Sequence, residues 1–155
     1  MKKILSIAAL SMLSLSSLLT APAQAAATGN FDVNITLTSA CLYSKTSDVS
    51  FTYTSFGAAA TATPGAFTVQ CTKNLSYALT LDGGTAPTYS YTDALLKLDY
   101  TLTLANTSHT GDGSAQVYSI AGNMVSGQIG ECATTGGVCS NSTSGNKTRT
   151  LTITY

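Results

Sequence analysis

Apolar and polar residues alternate along residues 31–37 of the chain. Successive side chains of a β-strand point to opposite faces, so this alternation predicts a strand with one apolar face and one polar face. The apolar face consists of Phe31, Val33, Ile35 and Leu37. Such a face must pack against a sheet, which belongs either to the same chain, with this segment as its first strand, or to another molecule.

The same alternation recurs along the rest of the chain and predicts further strands at residues 49–56, 67–71, 77–81, 98–104, 117–125 and 151–155. Glycine, proline and aspartate lie between these segments, as is typical of turns. Residues 134–147, rich in Gly, Ser, Thr and Asn, are predicted as an exposed loop. Short strands with regular turn signals predict one all-β domain, an immunoglobulin-like β-sandwich, and leave its strand order open.

The first 25 residues have the pattern of a secretory signal peptide. Lys2 and Lys3 precede an apolar run over residues 4–19, and Ala23 and Ala25 are the small residues of a cleavage site. A transmembrane anchor is the alternative, but the run is shorter than the ~20 residues that a spanning helix needs. We therefore predict a signal peptide at 1–25, a free N-terminal segment at 26–40 and a β-sandwich domain at 41–155 of a secreted protein.

The low charge of the chain bears on whether it binds nucleic acid. Charged residues make up 9% of the sequence, and the net charge is zero. Loss of Lys2 and Lys3 with the signal peptide leaves five basic residues against seven acidic ones, a net charge of −2. Nucleic-acid binding requires a basic patch or stripe. The sequence therefore predicts that nucleic acid is not a partner.

Four cysteines remain after signal cleavage: Cys41, Cys71, Cys132 and Cys139. An even number of cysteines in an exported chain indicates disulfides, and four allow three pairings. The last two cysteines flank a Gly-Gly pair that can reverse the chain, so a local pairing is the simplest and leaves the first two together. Loop closure would then contribute roughly 2.5 kcal/mol for the short loop and ~3.7 kcal/mol for the long one.

Candidate catalytic and metal-binding residues are few. Ser108 and Asp112 lie near His109 in sequence, but sequence neighbours do not make a catalytic triad. Asp82 and Asp93 are a candidate carboxylate pair for glycoside hydrolysis, although the glycines after Asp82 favour a turn. The cysteine spacing is too wide for a zinc knuckle and the single histidine is remote from it. We predict no enzyme, no metal and no cofactor.

A carbohydrate-binding β-sandwich is a further alternative, because aromatic side chains on a strand can stack on sugars. Tyr89 and Tyr91 are the candidate exposed pair. Tyrosines on strands more often pack into the protein, which makes this alternative the weaker one.

Several segments resemble a known family. Residues 29–41, Gly-Asn-Phe-Asp-Val-Asn-Ile-Thr-Leu-Thr-Ser-Ala-Cys, resemble the mature start of pilins in the spore coat protein U-like family. Residues 67–72 and 77–84 are similar to its strand-Cys-Thr and strand-Asp-Gly-Gly segments, and residues 122–128 to its Gly-Gln segment. Residues 151–155 resemble its final strand with a terminal aromatic residue. The resemblance spans almost the whole mature chain.

The resemblance implies a subunit of archaic chaperone-usher pili, with an incomplete immunoglobulin-like fold that lacks its last strand. It also implies completion by donor-strand exchange: a periplasmic chaperone first fills the gap, and the N-terminal segment of the next subunit replaces it at an outer-membrane usher. The donor would be residues 30–38, whose four apolar side chains would contribute roughly 6 to 12 kcal/mol before ordering costs. The expected location is the periplasm in transit and then a surface pilus that supports adhesion and biofilm formation.

The final strand has a matching implied role. Leu151, Ile153 and Tyr155 lie on one face, and the resemblance implies that they edge the groove and contact the chaperone. An ordinary core strand is the alternative. The second cysteine pair and the loop around it depart from the family pattern, which leaves a main shaft subunit, a minor subunit and a spore-coat structural protein open.

Overall fold

The computed structural model describes residues 26–105, 107–134 and 136–155. The predicted signal peptide at residues 1–25 lies outside the described residues. No helix in the described part of the chain is long and apolar enough to cross a membrane. The strands are β1 Cys41–Ser47, β2 Ala60–Thr61, β3 Gly65–Cys71, β4 Ser76–Leu81, β5 Thr88–Thr92, β6 Asp99–Leu104, β7 Ser108–Thr110, β8 Ala115–Met124 and β9 Leu151–Thr154.

The strands form two antiparallel sheets. The larger sheet has the order β1-β3-β8-β6-β5, and the short β2 pairs with the end of β8. The smaller sheet has the order β7-β4-β9. Because both sheets contribute to one core, the prediction of an all-β sandwich is confirmed.

The core forms from the alternation that predicts the strands. In β3 and β4, every second residue is buried, and the residues between them are half-buried or exposed. Each fully buried apolar side chain contributes about 1.5–3 kcal/mol relative to an exposed one. The core cluster comprises Phe67, Val69, Cys71, Tyr77, Leu79, Leu81, Tyr89, Tyr91, Leu102 and Leu104.

Both disulfides that the sequence favours are present. The Cys41–Cys71 disulfide joins two residues that are directly opposite each other at the end of the β1–β3 ladder. The Cys132–Cys139 disulfide closes a loop whose described residues form no strand. The first therefore staples two strands of the larger sheet, and the second closes a loop at the surface.

The long loop before β9 is held by the turn between β5 and β6. Asp93 lies in this turn, is buried, and accepts hydrogen bonds from the backbone N–H groups of Leu95 and Leu96 at 2.9 and 2.7 Å. The Asn141 side chain donates to the second carboxylate oxygen of Asp93 at 2.8 Å. Burial opposes ionisation of Asp93, but these hydrogen bonds outweigh it and hold the pKa of its carboxyl below the ordinary value.

An Asp93→Asn variant is expected to flatten the acid limb of the stability curve. In the native protein the pKa of Asp93 is lower than in the unfolded chain, so the unfolded chain binds the proton first as pH falls. The stabilisation from the ionised carboxyl is present above the unfolded pKa of about 3.9 and is lost as pH falls through the folded pKa. Denaturant unfolding at several pH values between about 2 and 5 measures the free energy of unfolding as a function of pH. An equal slope of that free energy against pH for the native protein and the variant would contradict the prediction.

Not every predicted strand is present. Residues 49–56 were predicted as a strand, but only Ser50 pairs, in an isolated bridge with Thr63. The alternation there is real, because Val49, Phe51 and Tyr53 are half-buried while the residues between them are exposed. Alternation reports which side chains pack inward, and it does so even where the backbone has no neighbouring strand. Four strands were not predicted: β1, β2, β5 and β7.

Candidate functional site

The N-terminal segment, residues 26–40, has no regular secondary structure and is exposed throughout. Its four alternating apolar side chains are between 71% and 86% exposed. No strand forms at residues 31–37, which were predicted to be a strand either of the chain's own sandwich or of a sheet in another molecule. Pairing with another molecule stays a prediction. The four exposed side chains are Phe31, Val33, Ile35 and Leu37.

Strand β9 is an edge of the smaller sheet, since among the described residues it pairs with β4 alone. The backbone N–H of Asp82 donates to the carbonyl of Thr150 at 3.0 Å, and the pairing continues in register through β9. Backbone groups of successive residues in an antiparallel strand point alternately to its two sides. The N–H and C=O groups of Leu151 and Ile153 therefore point away from β4, toward the open side.

The sheets also leave part of the core uncovered. Tyr43 of β1 lies opposite the buried Val69 and packs on the ring of Phe67, 5.8 Å between centroids, yet it is 52% exposed. Residues directly opposite in a sheet share a face, so Tyr43 points to the core side without being covered. Other core-facing side chains are only half-buried. We call the following set the open core face: Val49, Phe51, Tyr118, Ile120, Leu151 and Ile153.

Residues 49–53 contribute to the open core face without belonging to a sheet. Ser50 exchanges backbone hydrogen bonds with Thr63 at 3.2 and 2.8 Å. The ring of Phe51 packs on the backbone of β8, where a Cβ at Gly122 would lie 2.5 Å from Phe51 Cζ. This close approach explains why β8 has a glycine at that position. Two segments with few backbone pairs thus pack apolar side chains on the same core: residues 49–53, which have a single bridge, and the edge strand β9.

Arg149 fixes the start of β9, a role that the sequence did not indicate. Its guanidinium lies over the ring of Tyr91, 4.1 Å from the centroid, and its Nε donates to the hydroxyl of Tyr100 at 2.9 Å. Asp82 accepts a hydrogen bond from the N–H of Thr150 at 2.9 Å and lies 3.9 Å from the guanidinium. Burial, together with the charge of Asp82, raises the pKa of Tyr91 to about 12. The register of β9 is therefore set by charged and aromatic contacts as well as by β4.

The candidate catalytic residues are not brought together. His109 lies in β7, with its ring packed between those of Tyr77 and Tyr118. In the described part of the chain, no hydrogen bond links His109 to Ser108 or Asp112, and its Nε2 is buried without a partner. Asp112 instead accepts a hydrogen bond from the N–H of Ser114, its neighbour in the turn before β8. His109 is a packing residue between the two sheets.

The geometry does not support the carboxylate pair for glycoside hydrolysis or the tyrosine pair for sugar binding. Asp82 contacts the start of β9, and Asp93 contacts the long loop, so each carboxylate has a structural role. The prediction of Tyr89 and Tyr91 as an exposed pair for sugar binding is wrong, because they are 1% and 7% exposed. The alternation of aromatic and polar residues in β5 does not itself distinguish the inner face of a sheet from the outer one.

One of the comparisons with known proteins finds a match. A family model described as the Spore Coat Protein U domain matches residues 27–154, from the N-terminal segment through β9. This is a structural, pilin-like family of surface proteins and not an enzyme family. Neither the curated proteins nor the solved structures contain a match to the chain.

Proposed function

The chain belongs to the Spore Coat Protein U family, and from this membership we propose that it is a structural subunit of a bacterial surface pilus. The observation that carries the proposal is the presence of two complementary features in one chain. The N-terminal segment exposes an apolar row, and the sandwich has an open edge at β9 beside a half-buried open core face. Each feature needs a partner that the described residues do not supply.

The two features fit the strand-addition mode of recognition, in which an extended segment joins a sheet edge. The backbone groups of Leu151 and Ile153 would pair with the donor, residues 30–38 of another subunit. The apolar row of the donor would cover the open core face, contributing roughly 6 to 12 kcal/mol before ordering costs. The polar side chains Asp32, Asn34 and Thr36 would face water on the outer side of the completed sheet.

Assembly in this way produces a fibre. Donor and acceptor are different surfaces of one subunit, so the contact is head-to-tail and need not close into a ring. The proposal includes the further partners that family membership implies, a periplasmic chaperone that protects the open core face and an outer-membrane usher. The proposed location is the cell surface after export through the periplasm, where the fibre would support adhesion and biofilm formation.

A self-complemented chain tests the proposal. A copy of residues 30–38 appended after Tyr155 through a flexible linker is expected to pair with the open edge of β9 in the same chain, which we call the acceptor edge. This chain should be a stable monomer, whereas the unmodified mature chain should assemble into fibres. Size-exclusion chromatography and denaturant unfolding measure the two states.

Deletion of residues 26–38 supplies the control. In the self-complemented chain the deletion should leave a folded monomer, and in the unmodified chain it should abolish fibre formation. Loss of folding in the self-complemented deletion variant would contradict the proposal, because it would make residues 26–38 part of the chain's own sandwich. A soluble, stable monomer of the deletion variant without any appended strand would contradict it as well.

A further inference from the structure

The donor segment continues directly into β1, so tension along a fibre would enter each subunit at the start of that strand. We propose that the Cys41–Cys71 disulfide is a tension bypass, which carries this load from the donor of a subunit straight to Cys71 at the end of β3, so that the load does not run along the backbone from residue 42 to residue 70. The inference rests on the proposed function, because only a fibre of donor-linked copies is loaded at this point.

The disulfide lies where the load would arrive. Cys41 and Cys71 are opposite each other at the end of the β1–β3 ladder, and in the part of the chain that the structure describes β1 is an edge strand that pairs with β3 alone. Just before it, the N–H of Ala40 donates to Thr72 Oγ1 and the N–H of Thr72 donates to the carbonyl of Ala40, both at 3.0 Å. Without a covalent link, pulling on Cys41 would open the pairs of an edge strand one after another.

The strand that receives the load is better held than β1. Strand β3 lies between β1 and β8, and it pairs with β8 from Gly65 to Gln70. The core-facing side chains Phe67, Val69 and Cys71 are at most 3% exposed, whereas six of the seven residues of β1 are exposed. Displacing β3 would require breaking two ladders and exposing the core, so the disulfide passes tension to a strand that resists it.

The middle of the bypassed segment, residues 48–64, has few backbone pairs. Between β1 and β3, the only strand is the two-residue β2, and the only other ladder contact is the Ser50–Thr63 bridge. Val49 and Phe51 of this segment also belong to the open core face, so they must keep their position for that face to hold a neighbouring donor. A load that passes through the disulfide does not stretch the segment that contributes Val49 and Phe51 to the open core face.

The second disulfide makes a matched control possible. Serine replacement of Cys132 and Cys139 leaves Cys41–Cys71 as the single disulfide, and reduction of fibres assembled from this variant then opens that bond alone. Single fibres are stretched before and after reduction, with complete alkylation of both thiols verified by mass spectrometry. Assembly precedes reduction, so a folding defect does not enter the measurement.

Reduction is expected to lower the force at which the first subunit yields and to lengthen the extension released by each subunit. The two cysteines are separated by 30 residues, which corresponds to about 100 Å of additional chain. Oxidised fibres of the variant should yield at the same force as native fibres. Force and extension that do not change on reduction would overturn the inference and leave the proposed function standing, whereas failure of the native chain to form fibres would refute the proposed function itself.

A second variant checks the result by a different route. A self-complemented chain with Cys41→Ser and Cys71→Ser, pulled from both ends, should release the same extra length as the reduced fibres. The corresponding chain with Cys132→Ser and Cys139→Ser should gain only the roughly 24 Å that its separation of 7 residues allows. Equal gains for the two variants would also overturn the inference.

Discussion

Fibres are not expected from an Ile35→Asp variant. Ile35 is the third of four exposed apolar side chains in the donor, and in the assembled fibre it would lie in the core of the neighbouring subunit. A carboxylate buried there without a partner costs several kcal/mol, and the apolar contact of the isoleucine is lost in addition. Because each 1.4 kcal/mol is a factor of ten, assembly should fall by at least about 100-fold. Electron microscopy and sedimentation of the mature chain measure the loss.

The neighbouring residue supplies the matched control. Thr36 lies on the other face of the donor, so a Thr36→Asp variant carries the same new charge into solvent instead of the core. It should assemble nearly as well as the native chain. Equal assembly by both variants, or equal loss in both, would show that the donor does not bury one face and would refute strand addition by this segment.

A Leu79→Ala variant is expected to lose about 2–5 kcal/mol of stability in the self-complemented chain. Leu79 is fully buried in β4, the central strand of the smaller sheet, and lies opposite Ile153 of β9. Its removal leaves a cavity directly beneath the strand that forms the acceptor edge. Urea unfolding measures the free energy, and the midpoint should fall while the slope is unchanged.

Thr80 provides the comparison for this variant. It lies next to Leu79 in the same strand and is exposed, so a Thr80→Ala variant should change the stability by no more than about 0.5 kcal/mol. A similar loss for the two variants would indicate an effect of strand propensity and not of core packing. Loss for neither would mean that the smaller sheet does not close over this part of the core.

Together these predictions describe a subunit whose stability depends on its neighbours. The smaller sheet has three strands against the five of the main path of the larger sheet, so core-facing side chains of β8 and β9 are only half-buried. A donor strand would add the missing cover. Since the donor is covalently joined to β1, each subunit would both complete one neighbour and be completed by the other.

The alternation of apolar and polar residues in the sequence was enough to predict the strands that bury one face in the core. The alternation at residues 67–71, 77–81 and 151–155 predicts β3, β4 and β9 within two residues, because burial of every second side chain is a local property of a strand. The pairing of the cysteines followed from the short separation of one pair. Strands β1, β2 and β7 lack this alternation. In β5 the two tyrosines were expected to be exposed, whereas they face the core.

Which segments pair with one another in a sheet, and which strand edges stay unpaired, was decided only by the tertiary structure. Residues 31–37 and 49–56 alternate as clearly as β3 does, yet neither forms a strand, and within the described ranges β9 is paired on one side only. Side-chain alternation depends on which face meets apolar surroundings, whereas pairing depends on which distant segment supplies hydrogen-bond partners. That choice is made by contacts between residues far apart in sequence, which the local pattern of side chains does not report.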